Sequence, residues 1–137
     1  MRTANADDPE RFAERYSVSS NSAQMATEFD ALGSDYQANG YTTLDQANHM
    51  SALLDLAPGK ILVDLGAGCG WPGLYMAKRT GCAIISIDPV AEGSAIAGAR
   101  IGADRLAPPS AAVQGDALAI PLRSRSVDAI VHGDVLC

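Results

Sequence analysis

The apolar run Ile61-Leu62-Val63 passes into Asp64-Leu65 and then into Gly66, Gly68 and Gly70 on alternate positions. A short apolar run stopped by glycines predicts a buried strand. The glycines predict a loop whose backbone a ligand can approach closely, because no side chain stands in the way. A helical pattern follows, with Pro72 where a first turn tolerates proline and Leu74, Met76 and Ala77 available to face a sheet. Next, Ala83-Ile84-Ile85-Ser86-Ile87 is rich in β-branched residues and ends at Asp88, which predicts a second strand with an acid at its carboxyl end. Strand, glycine loop, helix and strand in series make one βαβ unit.

Flanking patterns extend it. After the Pro108-Pro109 break, Ala111-Ala112-Val113 predicts a third strand leading into Gln114-Gly115-Asp116-Ala117, and Ser126 to Val131 approaches a fourth that closes at His132-Gly133-Asp134. Upstream, a helix is expected from Leu44 to Leu56, with Thr43 as N-cap, Leu44, Ala47, Met50 and Leu54 along one stripe, and Ala57-Pro58-Gly59 as the stop. The chain before it is polar and serine-rich around Ser17 to Ser22. It carries short helical patterns over Pro9 to Tyr16 and Ala23 to Leu32, the second with Met25, Phe29 and Leu32 at helical spacing. The organisation predicted is a helical arm or lid over 1–41 and an α/β domain over 42–137.

Two cofactor fingerprints overlap on the glycine loop. Gly68-Cys69-Gly70-Trp71-Pro72-Gly73 is a GxGxxG, the dinucleotide pattern, with Asp88 about 20 residues on, where a ribose hydroxyl pair can be held. The other register begins at Asp64 and takes Gly66-Ala67-Gly68-Cys69-Gly70 as the loop. The ligand's charge separates them: a pyrophosphate is drawn to bare backbone N–H groups and repelled by a carboxylate such as Asp64. A ligand with a sulfonium and an ammonium gains from that carboxylate, while free loop N–H groups remain for its own carboxylate.

The second register resembles the Rossmann-like class of S-adenosylmethionine (SAM) methyltransferases, and four motifs in order carry the resemblance: Asp64 to Gly70, Asp88, Asp116-Ala117, and the fourth strand ending at His132. It implies a doubly wound, mostly parallel sheet in the order 3-2-1-4. It implies SAM as cofactor, with Asp64, Gly66, Ala67 and Gly68 at the loop, Asp88 on the ribose, Asp116 on the adenine amino group, the Ala117 N–H on a ring nitrogen, and the backbone near His132 beside the methionine end. Gly40-Tyr41-Thr42-Thr43 stands where it could reach the SAM carboxylate, or else forms a helix-entry turn with a packed aromatic. The implied chemistry is direct methyl transfer, which needs no covalent catalyst, so no catalytic residue is assigned. The modest apolar content of the arm fits a small-molecule or lipid acceptor better than a nucleic acid, with protein side chains also open, and in relatives the acceptor is recognised by the N-terminal arm and by insertions beyond strand four. The resemblance further implies a seven-stranded whole of which this chain holds the first part. The fourth strand is then expected to leave an unpaired edge of Ala129, Ile130 and Val131 through which copies self-associate.

Other readings of single residues stand beside these. Asp64 could cap the loop by accepting backbone N–H groups. Trp71 could wall a pocket or simply pack. Cys69 lacks a nearby base or cation that would make it a nucleophile. His132 is the one candidate base, with a structural role as its alternative. His49 is expected at the surface or boundary, and Asp134 as the cap of a following helix. A nicotinamide-dependent dehydrogenase domain is the alternative function, and a SAM-binding fragment without activity is a third.

Composition narrows the partners. The net charge is −6, with no Lys or Arg cluster and only 5% aromatic residues, so the electrostatic and stacking footprint of a nucleic-acid binder is missing. No apolar run is long enough to span a bilayer. The N-terminal stretch has no secretory-type apolar core, and Cys69, Cys82 and Cys137 have no metal-like spacing, so a cytoplasmic, metal-free protein is expected.

Overall fold

The computed structural model describes residues 9–18, 21–38 and 40–133. Helices α1 (Pro9–Val18), α2 (Ser22–Leu32) and α3 (Leu44–Leu53) precede an alternation of β1 (Ile61–Leu65), α4 (Gly73–Thr80), β2 (Ala83–Asp88), α5 (Ala91–Asp104), β3 (Ala111–Gln114) and β4 (Ala129–His132). The four strands are parallel in the order β3-β2-β1-β4, with Leu65 level with Ile87 on one side and His132 on the other. The strand order reverses between β1 and β4, so the carboxyl ends of these strands form the crevice where open α/β sheets hold ligands.

The helices collect on one face. Ala47 of α3, Leu74, Met76 and Ala77 of α4 and Ala97 of α5 pack with Leu62, Ile84, Ala129 and Val131. The other face, built on Val63, Ile85 and Ile87, is covered by Leu122 and Val127 from the segment between β3 and β4. Burial on both faces explains why β1 and β2 read as continuous apolar runs.

Helix α3 starts as expected, with a capping box: Gln46 N–H donates to Thr43 Oγ1, and Thr43 N–H donates to the Gln46 side chain. It stops at Leu53 rather than Leu56. Asp55 takes φ 50°, its N–H donates to Ala52 O, and Leu56 N–H donates to Ser51 O, a Schellman closure that ends the helix before the Pro58-Gly59 stop is reached. The arm's second stripe is not core: α2 has no buried residue, and Phe29 is 61% exposed. Helix α1 instead packs on α5, where Tyr16 is buried against Cys69 and Val90.

The expected apolar edge is smaller than the sequence predicts. Ala129 and Val131 are buried on the helix side, and only Ile130, on the opposite side of the pleat, is half exposed. Alternation along a strand halves the apolar surface that a continuous run suggests. Asp134 and Cys137 lie outside the described residues.

Candidate cofactor site

The glycine loop leaves β1 directly beneath the end of β2. Gly66, Gly68 and Gly70 all have positive φ, and the N–H groups of Gly66 and Ala67 both donate to Ile87 O. Gly68 N–H donates to Asp88 Oδ2 at 2.7 Å, and Gly70 N–H donates to Ala67 O. These loop N–H groups are therefore not free, contrary to the expectation that they are held open for an incoming carboxylate. A tight turn back onto β2 satisfies them internally, because a buried loop without partners would be costly.

Asp88 is the hinge of the site. Its Oδ1 accepts Val90 N–H at 2.8 Å while Oδ2 accepts Gly68 N–H, and its own backbone oxygen accepts Gly115 N–H, which joins the loops after β1, β2 and β3. Each carboxylate oxygen has a second lone pair, so a hydroxyl pair can be accepted without breaking this frame. Burial raises the Asp88 carboxyl above the ordinary range, opposed by the Val90 and Gly68 N–H groups.

Asp64 lies at the end of the adjacent strand and is fully buried. Its Oδ2 accepts Gly73 N–H at 2.9 Å at the start of α4, while Oδ1 is buried with no hydrogen-bond partner. Burial pushes this carboxyl up to about 8, against the lowering by the Gly73 N–H and with a further raise from Asp88. Asp64 thus combines the capping role with a free acceptor. The last glycine of the GxGxxG acquires a local cause here: a Cβ on Gly73 would stand 2.5 Å from Asp64 Oδ2.

The remaining predicted residues are more open. Asp116 is exposed and its carboxylate accepts Leu118 N–H at 2.8 Å, capping a short 3-10 helix over Ala117–Ala119. Ala117 is exposed beside it and His132 is exposed at the end of β4. All of them lie at carboxyl ends of the parallel strands. Tyr41 is 83% exposed, which excludes the packed-aromatic alternative, whereas Thr42 O accepts the Trp71 indole N–H at 2.8 Å. Trp71 packs between Tyr36 and Tyr75 with ring centroids 5.5 Å from each, so its role is packing. Cys69 is buried and its thiol is pushed up to about 11 by desolvation, leaving it a poor nucleophile. His49 is exposed, as expected.

Two residues that the sequence reading left unassigned complete the loop's surroundings. The Tyr16 hydroxyl lies 2.8 Å from where a Gly68 Cβ would stand, and Arg100 of α5 reaches the Cys69 carbonyl at 2.7 Å. Neither carries a local motif, and only the docking of α1 and α5 against the loop brings them there.

A family model described as a methyltransferase domain matches residues 63–137, more than half of the chain. The chain belongs to this methyltransferase family. No curated protein matches it. Among solved structures, the methyltransferase domain is similar to a SAM-dependent methyltransferase from Thiobacillus denitrificans in complex with S-adenosyl-L-homocysteine, at 26% identity and TM-score 0.56 over 66% of this chain and 36% of that one. A SAM-dependent methyltransferase from Geobacter sulfurreducens, also in complex with S-adenosyl-L-homocysteine, matches at 26% identity and TM-score 0.53 over the same shares. A putative SAM-dependent methyltransferase from Methanococcus maripaludis shares the fold at 19% identity and TM-score 0.62, over 96% of this chain and 52% of that one. This methyltransferase domain therefore spans about a third to a half of the length of these structures. The dehydrogenase alternative finds no support among these matches.

Proposed function

We propose that this chain is the cofactor-binding part of a SAM-dependent methyltransferase acting on a small-molecule or lipid acceptor, with residues 42–137 holding the cofactor and 1–41 forming the arm over it. The observation that carries the reading is the buried, unpartnered Asp64 Oδ1 beside a glycine loop that Asp88 ties to the end of β2. A buried acceptor without a donor is rare, and a cationic or hydroxyl-bearing ligand would satisfy it. The relatives solved with S-adenosyl-L-homocysteine support the same cofactor.

The donor set fits SAM. Asp64, ionised as a cationic ligand binds, supplies negative charge for the ammonium side, Gly66, Ala67 and Gly68 supply close backbone approach, and Asp88 supplies acceptors for a ribose diol. Asp116 and the Ala117 N–H supply an acceptor and a donor for an adenine edge, and the backbone near His132 borders the methionine end. Bound SAM supplies an electrophilic methyl group to a nucleophilic atom of the acceptor. The protein's own contribution is orientation and exclusion of water, the latter from the arm through Tyr16 over Gly68.

A cleft of about 550 Å³ lined by Tyr41, Thr42, Asp45, Gln46, His49 and Met50 supports an acceptor of small-molecule size. It adjoins the site because the Thr42 hydroxyl lies 3.1 Å from where a Gly133 Cβ would stand, just after β4. The half-exposed Ile130 on an edge that pairs only with β1 among the described residues supports self-association of the 137-residue chain. No helix of the described residues is long and apolar enough to cross a membrane.

Calorimetric titration with S-adenosyl-L-homocysteine, with NAD as the control, tests the reading. Binding of the first alone is the expected result. Binding of NAD alone, or of neither by the folded chain, would overturn it.

A further inference from the structure

Arg100 lies on α5, outside every cofactor motif, yet its side chain hydrogen-bonds the glycine loop and its surroundings. One guanidinium nitrogen donates to Tyr36 O at 2.6 Å and to Cys69 O at 2.7 Å, and the other donates to Gln37 Oε1 at 2.9 Å. The guanidinium also stands 5.2 Å from the centre of the Tyr36 ring. One side chain thus joins the glycine loop to the segment at 36–37 between α2 and α3.

That segment is itself fastened to the arm. Glu28 of α2 accepts from the Ser34 hydroxyl at 2.7 Å and from Tyr36 N–H at 2.9 Å, and the Gln37 amide donates to Tyr16 O of α1 at 3.5 Å. Tyr36 packs on Trp71 at the other end of the loop. Arg100 is where this network meets the loop backbone.

Cys69 sits between Gly68 at φ 53° and Gly70 at φ 110°. The Cys69-Gly70 peptide plane turns about ψ of Cys69 and φ of Gly70, and on the Gly70 side no Cβ restricts it. The Cys69-Gly70 plane is fixed at both ends, its carbonyl by Arg100 and its N–H by Ala67 O. Without the guanidinium, one of these two anchors is lost.

We propose that Arg100 is a positioning residue for the cofactor loop: it selects one orientation of the Cys69-Gly70 peptide and couples that orientation to docking of the segment at 36–37. The inference rests on the reading of this loop as the cofactor site. A guanidinium is suited to the role because its planar fork serves several carbonyl acceptors at once, which an ammonium cannot do with the same geometry.

The test uses the whole chain as wild type, Arg100→Met and Arg100→Lys. In the ligand-free proteins, amide hydrogen exchange at Gly70 should accelerate at least tenfold in Arg100→Met while the amides of β2 keep their protection, a local effect that general destabilisation would not produce. Affinity for S-adenosyl-L-homocysteine should fall at least tenfold in Arg100→Met, with an intermediate loss in Arg100→Lys. Unchanged exchange at Gly70, or wild-type affinity in Arg100→Met, would overturn the proposal. If Arg100→Met does not fold, wild-type exchange and affinity in Arg100→Lys would overturn it equally. Should the wild type itself fail to bind, the cofactor reading is lost, and exchange at Gly70 alone decides whether Arg100 positions the loop.

Discussion

Asp88 Oδ2 accepts the Gly68 N–H at 2.7 Å across 20 residues of sequence, so the end of β2 and the crest of the glycine loop are one rigid unit. The acid that the cofactor reading assigns to a ribose therefore also shapes the loop. Removing it should act on both. Asp88→Ala is expected to weaken binding of S-adenosyl-L-homocysteine by about 1–3 kcal/mol, the usual loss for a buried hydrogen-bonded carboxylate. Calorimetry on a mutant shown to be folded checks this, and unchanged affinity would remove Asp88 from the site.

Gly68 has little tolerance. Its φ of 53° disfavours any side chain, and an added Cβ would meet the Tyr16 hydroxyl at 2.8 Å. Gly68→Ala should cost about 1–2 kcal/mol in chemical denaturation, and Gly68→Val more. Adding Tyr16→Phe to Gly68→Ala should recover part of the loss. A double mutant no better than the single one would mean that Tyr16 does not rest on the loop.

Gly73 is constrained by a side chain rather than by its own backbone. A Cβ there would stand 2.5 Å from Asp64 Oδ2 and 2.7 Å from Asp64 Cβ, against a fully buried side chain. Gly73→Ala is expected to destabilise by about 1–3 kcal/mol, as overpacking does. In Gly73→Ala with Asp64→Gly, which removes the Asp64 Cβ as well as the carboxylate, the two losses should be clearly less than additive. Strict additivity in the double-mutant cycle would contradict the contact.

The buried Asp64 sets a pH dependence with a definite sign. Its carboxyl titrates near 4 in the unfolded chain and is pushed up to about 8 in the folded one. The folded state then binds the extra proton between these values, so stability from this group falls as pH rises from about 4 to about 8. Asp88, raised by the same cause, adds to the slope. Asp64→Asn should flatten the fall measured by urea unfolding across that window. Binding of a cationic ligand should favour the ionised form and release protons near neutral pH, which calorimetry in buffers of different ionisation enthalpy detects. An equal slope in Asp64→Asn would refute the assignment.

Ile130 carries the prediction for assembly. A charge on an exposed edge strand blocks pairing with another chain. Ile130→Lys should leave the chain folded and shift sedimentation at high concentration toward the monomer. A wild-type chain that is already monomeric at that concentration would dismiss self-association through β4.

Local physics made most of the fold legible. The runs at Ile61 and Ala83 are continuous because both faces of β1 and β2 are buried, Thr43 and Gln46 cap α3 through neighbours three residues apart, and the glycines at 66, 68 and 70 occupy positive φ values that favour glycine. Those are interactions within a few residues, and sequence encodes them directly. Family motifs extended the same reading to the 3-2-1-4 order of the sheet.

Tertiary structure decided what no short window contains. Whether Ala129 or Ile130 meets solvent depends on which side of the pleat the helices cover. The loop N–H groups proved to be bonded to Ile87 and Asp88 because β2 lies beside β1, and Asp64 Oδ1 lacks a partner because the folded chain buries it while only Oδ2 meets an N–H. Tyr16 and Arg100 reached the loop only through packing of α1 and α5, with 52 and 31 residues separating them from Gly68 and Cys69 respectively. Backbone preference and hydrophobic period act along the chain, so the sequence by itself determined the strands, the glycine loop and its acids. Burial, pKa and long-range hydrogen bonds arise between segments, so only the folded chain could decide them.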